Sequence, residues 1–279
     1  MEKWGDKPYH SLDYENKKRF GEKVYKISLA GGTTCPNRDG TLGTRGCCFC
    51  SGSGSGDFAA TKGSITEQIE EAIARVSRYK NAGHHFTAYF QSFTATYAPV
   101  ETLRAAWEEA MTHESVVTLA IATRPDCLGD DVLSLLVDCC RKMPVTVELG
   151  LQTIHPDTIR YIRRGYPNSV YETAVKNLQN IGVNVVTHVI AGLPGETKEN
   201  FLDTVRYVAD IGSDGIKLQL LHVLKGTDLA LDYESKMFRT LTPDEYLDYI
   251  AEALSILPPD MVIHLSLIHI SEPTRRRGI

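Results

Sequence analysis

The hydrophobic pattern along the chain alternates between short apolar runs and longer amphipathic segments. Runs such as "KVYKISLA", "HFTAYF", "VVTLAIA" and "VTVELGL" are rich in β-branched and aromatic residues, which is typical of buried strands. An amphipathic segment follows each run, and two of these segments begin with predicted capping boxes, Ser64 with Glu67 and Thr242 with Glu245. Six βα units are predicted in this way, followed by a last short apolar run, "MVIH".

The order of these elements predicts the fold class. Mostly apolar strands, each followed by a helix, indicate a parallel sheet covered by helices. We expect an α/β fold, a partial (β/α)6 barrel resembling a TIM barrel, with an open doubly wound sheet as the alternative. In either fold, the residues that follow the C-terminal ends of the strands form the ligand-binding edge of the sheet. That edge carries the segments "CPNRDGTLGTRGCCFC", "QSFTATYAP", "TRPD", "QTIHPD", "GLPGET" and "HVLKGT".

Composition narrows the class of protein. The 279 residues are 42% hydrophobic and 23% charged, which is ordinary for a globular protein. The N-terminus has no apolar signal-like region, and no apolar run approaches the roughly 18 residues that a membrane span requires. We therefore expect a cytoplasmic protein with no membrane contact. The cysteine count is seven, an odd number, with three crowded at Cys47, Cys48 and Cys50, which favours a metal site over a disulfide framework.

The C-terminal segment 265–279 differs in kind from the rest of the chain. Its "LSLIHISEPTR" matches the translation of a transposon-type sequencing-library adapter. We expect residues 1–264 to form the functional domain, with a short N-terminal extension, and residues 265–279 to be a non-native tail that cuts off the last strand. The whole chain has a formal net charge of −5, and the tail is basic, so the domain is more acidic still. Such a charge argues against a general polyanion-binding protein.

The spacing C-x11-C-x2-C predicts a site for a metal cluster. A C-x2-C pair, Cys47 and Cys50, lets one turn direct two sulfurs at one centre, and Cys35 supplies a third. Cys48 is expected to point the other way. Three thiolates suit a [4Fe–4S] cluster with one iron open to a ligand, whereas a structural zinc needs a fourth ligand from Cys48 or a histidine. The histidines at the strand ends are expected to be core or rim residues rather than ligands: His188, His222 and His264.

The cysteine loop, with "GSGDFA" after it, resembles the radical S-adenosylmethionine (SAM) superfamily. In particular, it resembles a bacterial family of that superfamily with an expanded C-x11-C-x2-C motif. The resemblance covers residues 4–264, because several further motifs match in order: "YFQSFTATYAP", "TRPDCL", "VELGLQTIHPDT", "RRGY", "HVIAGLPGE", "DGIKLQLLHVLKGT" and "LPPDMVIH". Related groups are the elongator-type tRNA-uridine enzymes and the oxygen-independent coproporphyrinogen oxidases.

The resemblance implies cofactors and a chemistry. Cys35, Cys47 and Cys50 would hold a [4Fe–4S] cluster whose open iron binds SAM. An electron from a reductant such as flavodoxin or ferredoxin would then cleave SAM to a 5′-deoxyadenosyl radical. By their position in related enzymes, the residues expected at SAM are Gln91 and Thr94 near the methionine amino group, Arg124, Gln152 and Arg164 at the carboxylate and ribose, and Phe49, Gly192 and Gly195 at the adenine.

The resemblance also favours a substrate, namely tRNA modified at the wobble uridine. Basic residues that would contact phosphate are Lys17, Lys18, Arg19, Arg160 and Arg163, although a solvated surface explains such residues more simply. Two other functions stay open. One is radical chemistry on a small molecule, such as a porphyrin precursor or an amino-acid derivative. The other is a non-catalytic binding module stabilised by zinc.

Overall fold

Seven parallel strands with helices after them make up the fold in the computed structural model, which describes residues 4–54, 59, 63–79 and 82–265. The strands are β1 (Tyr25–Leu29), β2 (Phe86–Phe90), β3 (Val116–Thr123), β4 (Val145–Gln152), β5 (Asn184–Ala191), β6 (Gly215–Leu220) and β7 (Val262–Leu265). The helices are α1 (Leu12–Phe20), α2 (Ile65–Tyr79), α3 (Val100–Thr112), α4 (Asp130–Cys140), α5 (Pro156–Tyr161), α6 (Asn168–Asn180), α7 (Lys198–Ile211), α8 (Asp228–Glu234) and α9 (Pro243–Ile256).

The order of the strands confirms the predicted partial barrel. The sheet runs β1-β2-β3-β4-β5-β6-β7, and every neighbouring pair is parallel. A doubly wound sheet would reverse its strand order at a switch point, so that alternative is wrong. The predicted last run forms β7, which pairs with β6 over four residues and gives the sheet one strand more than the six predicted units. Of the predicted tail, only Leu265 lies among the described residues.

The two faces of the sheet differ sharply in chemistry. Side chains alternate along each strand, and one set packs with the helices in a single hydrophobic core. Members of this set include Ile27 and Leu29 of β1, Phe86, Ala88 and Phe90 of β2, and Val147, Leu149 and Leu151 of β4. The intervening residues face the inside of the barrel, and many of them are polar. They include Lys26 and Ser28, Tyr89, Glu148 and His188.

Local signals fix where two of the helices begin, as predicted. The Ser64 Oγ atom accepts a hydrogen bond from the Glu67 amide at 3.2 Å, and Glu67 accepts one from the Ser64 amide at 2.8 Å. Thr242 and Glu245 make the same reciprocal pair at the start of α9. These caps satisfy amide groups that a helix leaves without partners in its first turn. The pair Ser64 and Glu67 thus marks the start of α2 at Ile65.

The N-terminal residues before α1 contact the edge of the sheet at β7. The amide of Ile263 donates to the carbonyl of His10 at 2.7 Å, and Ser11 forms a parallel bridge with Ile263. Ser11 also caps α1 through its side chain. No helix in the described ranges is both long enough and apolar enough to cross a bilayer.

Candidate active site

The cysteine loop joins β1 to α2, and tight turns give it its shape. The carbonyl of Cys35 accepts hydrogen bonds from the amides of Arg38 and Asp39 at 2.8 and 3.1 Å. The amide of Cys50 donates to the carbonyl of Cys47 at 3.1 Å, which closes the C-x2-C turn. All seven cysteines lie in the described ranges, and none is in a disulfide. The loop thus brings Cys35, Cys47 and Cys50 to the lining of one cavity.

Two adjacent side chains of the loop itself, Asn37 and Arg38, hold it in place. Arg38 donates through Nη2 to the carbonyls of Cys50 and Ser51 at 3.0 and 2.5 Å. Asn37 Nδ2 lies 3.4 Å from the Cys47 sulfur and donates to the carbonyl of Arg163 at 2.7 Å. A hydrogen bond to a cysteine sulfur favours its thiolate form, which is the form that binds metals. The loop is therefore supported at the two cysteines of the C-x2-C pair.

Cys48 lies in a different environment from its two neighbours. Its side chain is buried in a small hydrophobic cluster with Ile162, Leu193 and Leu229. The amide of Leu229 donates to the Cys48 carbonyl at 3.0 Å and fixes the backbone there. Among the described residues that line the cavity, Cys48 does not occur. Its role is therefore in packing, in agreement with the expectation that it points away from Cys47 and Cys50.

The cavity has a volume of about 300 Å³ and extends from the cysteine loop into the barrel. Six of the eight residues predicted to contact SAM line it: Phe49, Gln91, Thr94, Arg124, Gln152 and Arg164. The two glycines of the "GLPG" turn are not among the described lining residues. Both have positive φ angles, 83° at Gly192 and 84° at Gly195, and a Cβ at Gly192 would come within 2.9 Å of Leu241. Their contact with adenine stays a prediction.

The mouth of the cavity contains buried polar atoms without partners. We call the cysteine loop and the ends of β2 and β4 the rim; it comprises Cys35–Cys50, Gln91–Thr94 and Gln152. Within the described part of the chain, Ser92 Oγ, Thr94 Oγ1 and Gln152 Oε1 are buried and accept or donate no hydrogen bond. Such atoms are rare in folded proteins, and their partner is often a water molecule or a ligand. The rim is therefore suited to a polar ligand.

Backbone strain is concentrated at the same place. Non-glycine residues rarely adopt positive φ, yet Phe93 has a φ of 58° and Gln152 one of 67°, and both line the cavity. Arg163, whose carbonyl accepts from Asn37, has a φ of 57°. Conformations of this kind cost free energy and tend to persist at ligand-binding sites, where the surrounding structure enforces them. Strain and unpartnered atoms thus coincide at the rim.

Two predicted SAM residues, Arg124 and Arg164, are held firmly by the protein. Arg124 forms a two-pronged ion pair with Asp126, at 2.9 and 2.7 Å, and lies over the ring of Tyr166. Arg164 is buried and donates to the carbonyls of Leu151, Thr153 and Tyr166. Because its nitrogens already serve these carbonyls, Arg164 fixes the end of β4. Its predicted contact with SAM stays a prediction.

Deeper in the cavity lies a second polar group, which we call the floor: Lys26, Tyr89, Glu148, His188 and Lys217. Glu148 is at its centre, with a fully buried side chain. Its Oε1 pairs with Lys26. Its Oε2 accepts from Tyr89 at 2.7 Å and from His188 Nε2 at 2.6 Å, and lies 3.2 Å from Lys217 Nζ. Through these contacts, the Glu148 carboxylate on β4 links residues of β1, β2, β5 and β6 to its own strand.

The electrostatics of the floor follow from burial and charge. Burial alone would raise the pKa of Glu148, but the ammonium groups of Lys217 and Lys26 hold it well below its usual value. Burial and then the charge of Lys217 lower the pKa of His188 to about 4, so the imidazole is neutral at neutral pH. Burial also raises the pKa of Tyr89, which keeps its hydroxyl protonated. The floor therefore contains an ionised carboxylate among neutral donors and lysines.

Most residues of the floor were not predicted from the sequence. Lys26, Tyr89, Glu148 and Lys217 each come from a different strand, so no local motif joins them. A signal was nevertheless present. Charged residues are almost never buried without partners, so a charge within an apolar strand, as in "VTVELGL" or "GIKLQL", predicts a charged partner on another strand.

The sulfur arrangement bears on which metal the rim suits. Around one zinc ion, thiolate sulfurs at the usual Zn–S distance lie within about 4 Å of each other. In the described part of the chain, no three His, Cys, Asp or Glu side chains are arranged to hold a single metal ion. A cluster binds each cysteine through a different iron and places the sulfurs further apart. Burial and then Cys50 raise the pKa of Cys47 to about 11, so a cation must be close by for the thiolate to form.

Comparison with known families agrees with the resemblance seen in the sequence motifs. The model of the radical SAM superfamily matches residues 20–208, and that of the radical SAM C-terminal domain matches residues 213–273. The chain is 42% identical over 265 residues to the Bacillus subtilis protein YtqA, covering 93% of this chain and 80% of that protein. It is 28% identical over 146 residues to the tRNA uridine(34) acetyltransferase of Methanocaldococcus jannaschii, covering 51% of this chain and 26% of that enzyme.

Solved structures share the fold at low sequence identity. The archaeal Methanocaldococcus infernus Elp3 matches with a TM-score of 0.63 and 18% identity, over 87% of this chain and 56% of that one. The Escherichia coli coproporphyrinogen III oxidase HemN, a radical SAM enzyme, matches with a TM-score of 0.55 and 16% identity, over 83% of this chain and 52% of that one. The chain thus spans about half the length of these structures.

Proposed function

Because the chain belongs to the radical SAM superfamily and is a radical SAM enzyme, we propose that Cys35, Cys47 and Cys50 hold a [4Fe–4S] cluster and that the rim binds SAM. The observation that carries this proposal is the position of three cysteines, none in a disulfide, at the mouth of a cavity beside unpartnered Thr94 and Gln152. Cluster and SAM together supply reductive cleavage of the sulfonium and a 5′-deoxyadenosyl radical that abstracts hydrogen.

The residues of this chain have distinct tasks in that chemistry. Asn37 donates to the sulfur of Cys47, and Arg38 fixes the backbone at Cys50, so both hold the ligands in position. Thr94 Oγ1 and Gln152 Oε1 are available for polar groups of SAM. Three buried apolar residues that line the cavity, Ile162, Ile190 and Leu221, help to keep water from the reacting atoms. The protein thus orients the reactants and shields them.

A zinc-stabilised binding module accounts less well for the site. One zinc ion needs converging sulfurs and a fourth ligand, whereas Cys48 packs in a separate hydrophobic cluster. Anaerobic reconstitution with iron and sulfide tests the point, and we expect about four irons per chain. Dithionite and SAM should then yield 5′-deoxyadenosine. Stoichiometric zinc with no iron would contradict the proposal and favour the binding module.

For the substrate we propose a uridine of tRNA. Support comes from the similarity to the tRNA uridine(34) acetyltransferase and from the fold shared with Elp3. Among the predicted phosphate contacts, Arg160 pairs with Asp157 and Arg163 pairs with Asp228 at 2.6 Å. Their charge is therefore largely compensated, which leaves Lys18 and Arg19 of α1 as the better candidates for phosphate contact.

Nucleoside analysis tests the substrate proposal. We expect total tRNA from a deletion strain to lack one modified uridine, or to accumulate its precursor. Liquid chromatography and mass spectrometry of the digested nucleosides would measure this. Restoring the gene should restore the wild-type profile, and a Cys47→Ala copy should not. An unchanged profile would contradict the tRNA proposal and favour radical chemistry on a small molecule, the alternative consistent with the fold shared with HemN.

A further inference from the structure

The floor carries one positive charge more than it carries negative charge. Lys26 and Lys217 are the two cations, Glu148 is the one carboxylate, and His188 and Tyr89 are neutral at neutral pH. Lys26 pairs with Oε1 of Glu148, and that ion pair is balanced by itself. A buried charge is unfavourable unless an opposite charge or hydrogen-bond partners compensate it. The charge of Lys217 is the one left over.

The hydrogen bonds of the floor lead to the same residue. Both oxygens of Glu148 already accept from neighbours, so the carboxylate has no need of a ligand. An ammonium has three donors, and the described contacts of Lys217 use two of them, to Glu148 Oε2 at 3.2 Å and to Tyr89 OH at 3.3 Å. The Lys217 side chain is 16% exposed and lines the cavity, whereas that of Glu148 is fully buried.

His264 of β7 adds an independent observation. In the sheet register, His188, Lys217 and His264 lie directly opposite one another on β5, β6 and β7. They therefore form a row on the inner face. The side chain of His264 is buried, and its Nδ1 has no hydrogen-bond partner in the described part of the chain. His264 is not among the described residues that line the cavity, but its unpartnered ring nitrogen shows that the protein does not fully satisfy the polar row to which Lys217 belongs.

The depth of the floor limits what that group is. Lys217 lies three residues before the end of β6, which places it about 10 Å below the C-terminal edge of the sheet at the usual rise per residue. A substituent on a base reaches that depth, whereas a polymer backbone with its phosphates stays outside. We propose that the floor is a receptor for a carboxylate on the substrate, with Lys217 as its direct contact. This inference rests on the proposed function in placing a uridine in the barrel.

The test compares acids with their neutral amides. Dissociation constants of the reconstituted full-length enzyme are measured by calorimetry for 5-carboxymethyluridine and 5-carbamoylmethyluridine, and for phenylacetate and phenylacetamide. Within each pair, shape is kept and charge is removed. We expect the acid to bind about tenfold more tightly than the amide, because a charge-assisted hydrogen bond replaces a neutral one.

Variants of the floor change its net charge in steps of one. Lys217→Met and Lys26→Met each reduce the surplus to zero, and the acid preference should disappear. Lys217→Arg keeps the charge and should keep the preference, and Glu148→Gln raises the surplus to two and should increase it. Lys142→Met is the matched control, because Lys142 pairs with Glu108 on the surface and does not line the cavity. Should Lys217→Met fail to fold, Lys26→Met still tests whether the surplus positive charge causes the preference for the acid, and an unchanged preference in that variant would overturn the receptor.

The outcomes separate this inference from the proposed function. Equal binding of acid and amide by the wild type would overturn the carboxylate receptor, while tight binding of both uridines would still support a uridine substrate. A preference that persists in folded Lys217→Met would overturn the role of Lys217. Discrimination in the phenyl pair, with no binding of either uridine, would support the receptor and count against the uridine.

Discussion

The rim and the floor share one cavity but differ in how far the protein completes them. At the rim, Thr94 and Gln152 have buried oxygens without partners, and Gln152 has a positive φ angle. In the floor, both oxygens of Glu148 have partners, and the floor residues lie within regular strands. The rim thus depends on ligands for its missing interactions, whereas the floor supplies nearly all of its own.

The difference has a physical origin in the two kinds of backbone. Strand residues have their amides and carbonyls satisfied by the sheet, so their side chains are free to form a network across the barrel. Loop residues lack that ladder, and Arg38 and Asn37 must supply hydrogen bonds to hold the cysteines. We expect loading of the cluster and of SAM to respond to rim substitutions, and the free energy of unfolding to respond to floor substitutions.

The largest expected effect is on the rim. Cys47→Ala should reduce bound iron from about four per chain to near zero and abolish formation of 5′-deoxyadenosine, because the cluster loses one of its three anchors. Iron analysis and product chromatography measure both. Cys48→Ala is the matched control, since Cys48 packs in a hydrophobic cluster, and it should retain iron. Full iron content in Cys47→Ala would contradict the assignment of Cys47 as a cluster ligand and of Cys48 as a packing residue.

The next effect concerns the stability of the floor. Glu148→Ala leaves two partly buried ammonium groups without a counter-charge and should lower the free energy of unfolding by about 3 kcal/mol. Denaturant titration of the apoprotein under anaerobic conditions measures it. Glu148→Gln keeps acceptor and shape and should cost less. An unchanged midpoint for Glu148→Ala would show that the floor does not hold the strands together.

A smaller effect follows from the neutral histidine of the floor. The pKa of His188 is about 4 in the folded protein, below its ordinary value of about 6.5, so the unfolded chain binds the proton first as the pH falls. Stability should therefore decrease by about 2 kcal/mol between pH 7 and pH 5. Burial also lowers the pKa of His264, which adds to the same slope.

His188→Gln provides the check on this pH dependence. Gln is neutral at every pH and still donates to Glu148, so the slope between pH 7 and pH 5 should become shallower. Denaturant titrations at several pH values measure the slope for both proteins. A variant with the same slope as the wild type would show that other groups cause the pH dependence.

The smallest effect compares strain at the rim with strain elsewhere. Lys236 is exposed, has a φ of 57°, and lies outside the cavity, so Lys236→Gly should stabilise the protein by up to about 1 kcal/mol without a change in SAM binding. Gln152→Gly relieves similar strain but removes a residue that we place at SAM. It should weaken SAM binding, as measured by calorimetry. If both variants bound SAM equally tightly, the strained backbone at Gln152 would have no part in SAM binding.

The sequence by itself determined the features that depend on neighbouring residues. The alternation of strand and helix, the capping boxes at Ser64 and Thr242, and the trio Cys35, Cys47 and Cys50 are all patterns within a few to sixteen residues. Side-chain periodicity, caps and ligand spacing act over such distances, so they can be recognised without a fold. The family resemblance rested on the same local motifs.

The tertiary structure alone decided which distant side chains meet. Lys26 and Glu148 are 122 residues apart in the chain, and Lys217 and Tyr89 are 128 apart, yet each pair is in contact in the floor. Likewise, only the fold showed that Arg164 serves the carbonyls at the end of β4. The reason is that the register and curvature of the sheet select these pairs, and both arise from the packing of all seven strands together rather than from any one segment.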